Sequence, residues 1–238
     1  MSERDSATAR RRRTAVVTGA SRGIGRAIAM RLSRDFDVVA TARSRGRLKT
    51  LAAEVEGEGG RCTPLVVDLR DGPAVCAALG AVEADVLVNN AGIMIKKPFL
   101  ELTPAEWHDM VDVNLNALYH ATRAVLPGMV ARGSGHVVII GSIAGRSAFV
   151  GGTCYAATKH AVMGFSESLL LEVRHRGVKV SVIMPGSVAT DMAGEEPDVS
   201  WMLGPQDVAE SVAHVVATPP AVLVHRLEIR ALTPPQKG

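Results

Sequence analysis

The chain has 238 residues, of which 47% are hydrophobic, 3% aromatic and 21% charged, and its formal net charge is +3. That length suits one large domain with a substantial core, and a core of Ala, Val, Leu and Ile with so few rings favours a parallel sheet covered by helices. The slight positive charge is concentrated in Arg10 to Arg13, so only those residues speak for an acidic partner, and no apolar run approaches the roughly 18 residues of a membrane helix.

In chain order, residues 1–13 read as a flexible basic tail and 14–238 as a single domain. Thr14 to Thr18 is a first strand, and Gly23 to Arg34 a helix with Ile24, Ala27, Ile28 and Leu32 on one side. Asp37 to Thr41 is a second strand, after which Ser44 caps a helix running to about Glu56. Cys62 to Val67 is a strand, Asp71 to Val82 a helix and Asp85 to Asn89 the fourth strand. Thr103-Pro104-Ala105-Glu106 combines a hydroxyl cap, a proline and a glutamate, and opens a long helix reaching Ala131. His136 to Ile140, Val178 to Met184 and Arg226 to Arg230 complete the strands, with helices over Thr153 to Arg176 and Pro205 to Ala217 between them. Strict alternation of this kind predicts a parallel α/β sheet with helices on both faces.

Two stretches carry chemistry. Thr18-Gly19-Ala20-Ser21-Arg22-Gly23-Ile24-Gly25 sets three glycines between the first strand and its helix. Missing side chains there let the backbone turn tightly and approach a pyrophosphate at the helix N-terminus; a plain structural turn has the same composition. Farther on, Tyr155 and Lys159 are one helical turn apart, and an ammonium near a phenol lowers its pKa. By itself that pair also suits an interface tyrosine and a solvated lysine. Ser142 ends the fifth strand, where open α/β sheets place their ligand crevice.

Taken together these motifs resemble the short-chain dehydrogenase/reductase superfamily over about Thr14 to Pro234. Thr18-Gly19-x-x-x-Gly23-x-Gly25 is similar to its cofactor loop, Asn89-Asn90-Ala91-Gly92 to its strand-four motif, Asn114 to its long-helix asparagine, and Ser142, Tyr155 and Lys159 to its catalytic set. The resemblance implies a Rossmann-type, doubly wound sheet of seven parallel strands in the order 3-2-1-4-5-6-7. It also implies hydride exchange between a nicotinamide and a carbonyl carbon, with Tyr155 as general acid and base. Ser142 would polarise the carbonyl, Lys159 would lower the tyrosine pKa and hold the ribose, and Asn114 would hold a water linking Lys159 to solvent. The implied cofactor contacts are Gly19, Ser21, Arg22, Gly23, Ile24, Gly25, Arg43, Asp68, Leu69, Asn90, Ala91, Gly92, Tyr155, Lys159, Pro185, Gly186, Val188 and Thr190.

The second strand decides the expected cofactor. A carboxylate there would hold the adenosine ribose hydroxyls, but Ala42 takes its place and Arg43 follows, with Arg22 in the glycine loop. Two guanidiniums suit a 2′-phosphate, so NADP(H) is expected ahead of NAD(H). Cys62, Cys76 and Cys154 show no metal spacing and the histidines no cluster, so the expectation is reduced thiols in a soluble cytoplasmic protein without a metal site. Met94, Ile143, Ala144, Phe149, Val150, Trp201 and Met202 are candidate walls of a short-lidded pocket, the lid made acidic by Glu195, Glu196 and Asp198. Such walls favour a neutral, partly apolar carbonyl substrate. The resemblance further implies a homodimer or homotetramer through the two long helices. An NAD(H)-dependent sugar, polyol or hydroxy-acid dehydrogenase and a non-catalytic dinucleotide sensor stay open as alternatives.

Overall fold

The computed structural model describes residues 11–193 and 198–234. Its strands are β1 (Thr14–Thr18), β2 (Asp37–Ala42), β3 (Arg61–Val66), β4 (Val86–Asn89), β5 (Gly135–Ile140), β6 (Val178–Pro185) and β7 (Arg226–Ile229). All pair in parallel, in the order β3-β2-β1-β4-β5-β6-β7. The helices are α1 (Gly23–Leu32), α2 (Arg45–Gly57), α3 (Gly72–Leu79), α4 (Pro104–Val111), α5 (Ala117–Arg132), α6 (Thr153–Val173) and α7 (Pro205–Val216). The doubly wound, Rossmann-type sheet is therefore as expected.

The strands are apolar on both sides because each side has its own helical cover. Ala15, Val17, Val86, Val88, Val138 and Ile140 point towards α1, α2 and α7. Val16, Leu87, Val137, Ile139 and Val180 point towards α3, α5 and α6. Successive residues thus serve opposite cores, as the two-residue period of a strand requires. Among the described residues no helix is long and apolar enough to cross a membrane.

Local chemistry sets the ends of the helices. Ser44 Oγ accepts from Arg47 N, Asp71 Oδ1 accepts from Ala74 N, and Thr103 with Glu106 forms a reciprocal capping box. Four helices stop short of their expected ends: α1 at Leu32, α3 at Leu79, α6 at Val173 before a tight 3-10 turn, and α7, by one residue, at Val216. The long helix is not regular either, since a π turn over Asp112–Asn116 separates α4 from α5.

The basic segment engages the body of the protein sooner than a flexible tail ending at residue 13 would. Arg11 bonds Asp85 at 3.0 Å, Arg12 donates to the carbonyls of Ser33 (2.6 Å) and Arg34 (2.9 Å), and the Arg13 guanidinium stands 4.5 Å from the centre of the Phe36 ring. The rest of that segment, residues 1–10, lies outside the described residues.

Candidate active site

β1 and β4 are neighbours whose chains leave in opposite directions, which opens a crevice above their carboxyl ends. Thr18 and Asn90 tie its two banks together. Thr18 Oγ1 accepts from Asn90 N (3.0 Å) and Ala91 N (3.1 Å), while Asn90 Nδ2 donates to Thr18 O (2.9 Å). The glycine loop lies so close to this clasp that side chains would collide with it. A Cβ on Gly19 would meet Ala91 Cα at 2.9 Å, and one on Gly25 would overlap Asn90 Nδ2 and Gly19 O. Gly19 and Gly23 also have positive φ, at 66° and 53°, where a side chain is strained. The result is a bare backbone cradle at the N-terminus of α1, which fits a dinucleotide pyrophosphate.

Ser142 leaves the end of β5, and α6 brings Tyr155 and Lys159 up beside it. The Tyr155 hydroxyl and Ser142 face the same cavity, near enough for Ser142 to affect the phenol's titration, while Ser142 Oγ accepts from Ala144 N at 3.1 Å. Burial raises the tyrosine pKa above its ordinary value, and the neighbouring Ser142 side chain pulls it part of the way back. Lys159 is 6% exposed; its Nζ donates to Ile140 O at 3.0 Å and stands 5.7 Å from the centre of the Tyr155 ring. Burial lowers its pKa to about 8. The net direction is therefore upward and not the expected lowering: the Lys159 ammonium faces the ring and a carbonyl, and desolvation of the phenol dominates.

Asn114, in the π turn, is 3% exposed and bonded at both ends of its amide. Oδ1 accepts from Ile93 N at 2.8 Å, and Nδ2 donates to Ile93 O (2.9 Å) and Thr158 Oγ1 (3.1 Å). Its side chain holds the strand-four loop to α6.

A cavity of about 1020 Å³ runs from the glycine cradle to Tyr155. Its walls include every expected cofactor contact from Gly19 to Thr190, together with Ser142, Tyr155 and Lys159; Asn114 sits behind the wall. At the β2 end the lining is Ala42, Arg43 and Ser44, and Arg47 joins them. Arg47 escaped the sequence reading because it is five residues beyond the diagnostic position, Ala42, and only its cap, Ser44, gave a local signal. Arg22 bonds Asp191 at 2.8 Å, a partner 169 residues away that no spacing foretells. Asp68 is held by Arg70, whose Nη2 donates to it at 2.7 Å; that hydrogen bond, opposed by desolvation, lowers the Asp68 pKa. Met94, Ile143, Ala144, Phe149 and Met202 line the substrate side as expected. Val150 does not, being 92% exposed, and Trp201 is off the wall. Glu195 and Glu196 lie outside the described residues.

The family model for short chain dehydrogenases matches residues 13–200. The chain belongs to the short-chain dehydrogenase/reductase superfamily. A 3-oxoacyl-[acyl-carrier-protein] reductase of Vibrio harveyi is 39% identical over 184 residues, which is 75% of this chain and 74% of that protein. A metagenomic short-chain oxidoreductase in complex with NADP superposes with a TM-score of 0.83 at 34% identity, over 93% of this chain and 98% of that one. A 3-oxoacyl-[acyl-carrier protein] reductase of Brucella melitensis with bound NAD gives 0.83 at 31% identity, over 91% and 89%. This short-chain dehydrogenase/reductase is thus an oxidoreductase acting on CH-OH or carbonyl groups with a nicotinamide dinucleotide.

Proposed function

We propose that this enzyme reduces a neutral, partly apolar ketone or aldehyde to its alcohol, and runs the reverse oxidation, with NADP(H), through Tyr155 as general acid and base. The observation that carries the reading is that Ser142, Tyr155 and buried Lys159 share one wall, at the far end of a cavity that begins in the glycine cradle. In the reducing direction Tyr155 gives its hydroxyl proton to the carbonyl oxygen as negative charge builds there. Ser142 orients that oxygen and binds it more tightly as the charge grows. Lys159 keeps a cation next to the tyrosine, offsetting the cost of a buried phenolate that the raised pKa reflects. Asn114 acts by fixing the loop at Ile93 against α6. The bound nicotinamide supplies or takes up the hydride.

The residues that would hold the dinucleotide are the cradle from Gly19 to Gly25, Asp68 and Leu69 at the adenine, Asn90, Ala91 and Gly92 along the crevice, and Pro185, Gly186, Val188 and Thr190 on the nicotinamide side. Preference for the 2′-phosphate rests on Arg43, with Arg22 and Arg47 on the same wall and no carboxylate at the end of β2. The reading also includes a single domain over residues 14–238 and a cytoplasmic setting. Self-association is proposed through the outer faces of α5 and α6, where Tyr119 and Leu171 are more than half exposed.

Fluorescence titration with NADPH and NADH, followed by turnover on ketones, aldehydes and alcohols, tests this. Tyr155→Phe is expected to keep NADPH binding and to lose at least ~100-fold in kcat. Binding without turnover on any carbonyl would favour a dinucleotide sensor, NADH preference would overturn the assignment of the arginines, and faster turnover of anionic keto acids would overturn the substrate class.

A further inference from the structure

The loop that follows β3 carries an arginine absent from the expected cofactor contacts. Asp68, Leu69 and Arg70 stand together on the wall of the large cavity, and Asp109 of α4 lines the same space. Arg70 spends three donors on the carboxylate of Asp68. Its backbone N donates to Oδ1 at 3.0 Å, Nε is shared between Oδ1 (3.1 Å) and Oδ2 (3.2 Å), and Nη2 donates to Oδ2 at 2.7 Å. The other arm, Nη1, crosses to Asp109 Oδ1 at 3.2 Å. One guanidinium thus fixes the carboxylate and is itself braced on a helix.

An ordinary surface ion pair is a loose contact between two long side chains, whereas a planar fork engaging both oxygens admits one orientation of the carboxylate. The side-chain bond from Arg70, opposed by desolvation, also holds the Asp68 carboxyl below its ordinary range, so Asp68 has no proton to give. An ionised carboxylate offers about four lone-pair sites. The donors of Arg70 fill Oδ1 and one side of Oδ2, which leaves the other side of Oδ2 for a single donor from the cavity. Buried Leu69 adds an apolar neighbour on the same wall. A flat ring with an amine on its edge suits both neighbours; a ring with an oxygen at that place would set acceptor against acceptor.

We propose that Arg70 is a positioning residue that makes the cavity select a 6-aminopurine over a 6-oxopurine dinucleotide, by presenting one free acceptor site of Asp68 to the amino group. This rests on the reading in which Asp68 and Leu69 receive the adenine, and adds what fixes the carboxylate and which base it rejects. The backbone of the loop is held independently of the fork: His120 Nδ1 donates to Leu69 O at 3.0 Å, and Asp71 Oδ1 accepts from Ala74 N at 3.0 Å. The side chains of Arg70, Asp68 and Asp109 are 38%, 36% and 54% exposed. Removing the fork should therefore free the carboxylate to turn while the loop stays in place.

Fluorescence titrations of the full chain with NADPH and with its hypoxanthine analogue, in which an oxygen replaces the 6-amino group, read this preference without any turnover. The wild type should bind NADPH about 10-fold or more tightly than the analogue. Arg70→Met should bring the two within about 3-fold, chiefly by weakening NADPH. Arg70→Lys keeps the charge without the fork and should lose most of the preference too; it carries the test if Arg70→Met does not fold. Asp68→Asn, whose amide can turn a donor towards the oxygen, should abolish or reverse the preference. A preference kept in both Arg70 variants but lost in Asp68→Asn overturns the role of Arg70 alone. Equal binding by the wild type, or a preference that survives Asp68→Asn, overturns the adenine reading with it. Should NADH bind better than NADPH, NADH and its hypoxanthine analogue give the same comparison.

Discussion

His136 makes the stability of this fold depend on pH in a direction that can be worked out. It sits in β5 at 5% exposure, with Nε2 2.8 Å from Ser181 Oγ. Ser181 Oγ donates to Val224 O at 2.6 Å, so its lone pairs take the Nε2 proton of a neutral imidazole. A second proton would create a buried cation near Lys179. Burial first, and the charge of Lys179 second, lower the His136 pKa from 6.5 to about 4. The folded value is below the unfolded one, so this contribution is fully present above pH 6.5. It is lost as pH falls from 6.5 towards 4, because the unfolded chain binds the proton first. The loss amounts to about 2 kcal/mol between pH 7.5 and 5, and roughly 3 kcal/mol by pH 4. His136→Gln keeps an N–H for Ser181 and removes the titration. Urea unfolding at pH 7.5 and pH 5, at one protein concentration, should show the wild type losing about 2 kcal/mol more than the variant. Equal losses in the two proteins would refute the linkage.

Arg43→Ala should weaken NADPH binding by about 10-fold or more while leaving NADH nearly unchanged, read from paired fluorescence titrations. Asp191→Asn releases Arg22 from an ion pair whose side chains are 57% and 69% exposed. Stability should therefore move by less than about 1 kcal/mol, while NADPH affinity rises a few-fold at low salt and the gain fades at high salt. Gly25→Ala forces a methyl group against Asn90 and Gly19 O, with an expected cost of roughly 1–3 kcal/mol; thermal unfolding should show the loss together with weakened binding of either dinucleotide.

What could be read in the sequence was local or periodic. β1 and the caps Ser44 and Thr103 are where short-range chemistry puts them, since a strand's apolar run and a cap's side chain act within a few residues. The expected cofactor contacts lie along one cavity because the motifs stand at strand ends that the topology gathers on one edge. The unread parts depend on pairs that the chain brings together only on folding: Arg22 with Asp191, Lys159 with Ile140 O, Asn89 with Thr122 and His136 with Ser181. Phenol burial was likewise invisible, since a helical spacing gives the distance between two side chains and not the solvent each has lost.

The π turn at Asp112–Asn116 acts as a change of phase. Before it, Met110 faces the cluster that contains Ala144, Cys154 and Tyr155; after it, Ala117, Ala121 and Val125 face the sheet. A π turn holds one residue more than an α turn, and each residue rotates a helix by about 100°. Removing one residue from 112–116 would therefore leave a smoother helix that serves only one of its two clients: with the upstream half seated by the tyrosine, the downstream stripe would turn away from the sheet by more than a quarter of a circle. The irregularity is the gear that lets one helix address both the chemistry and the core.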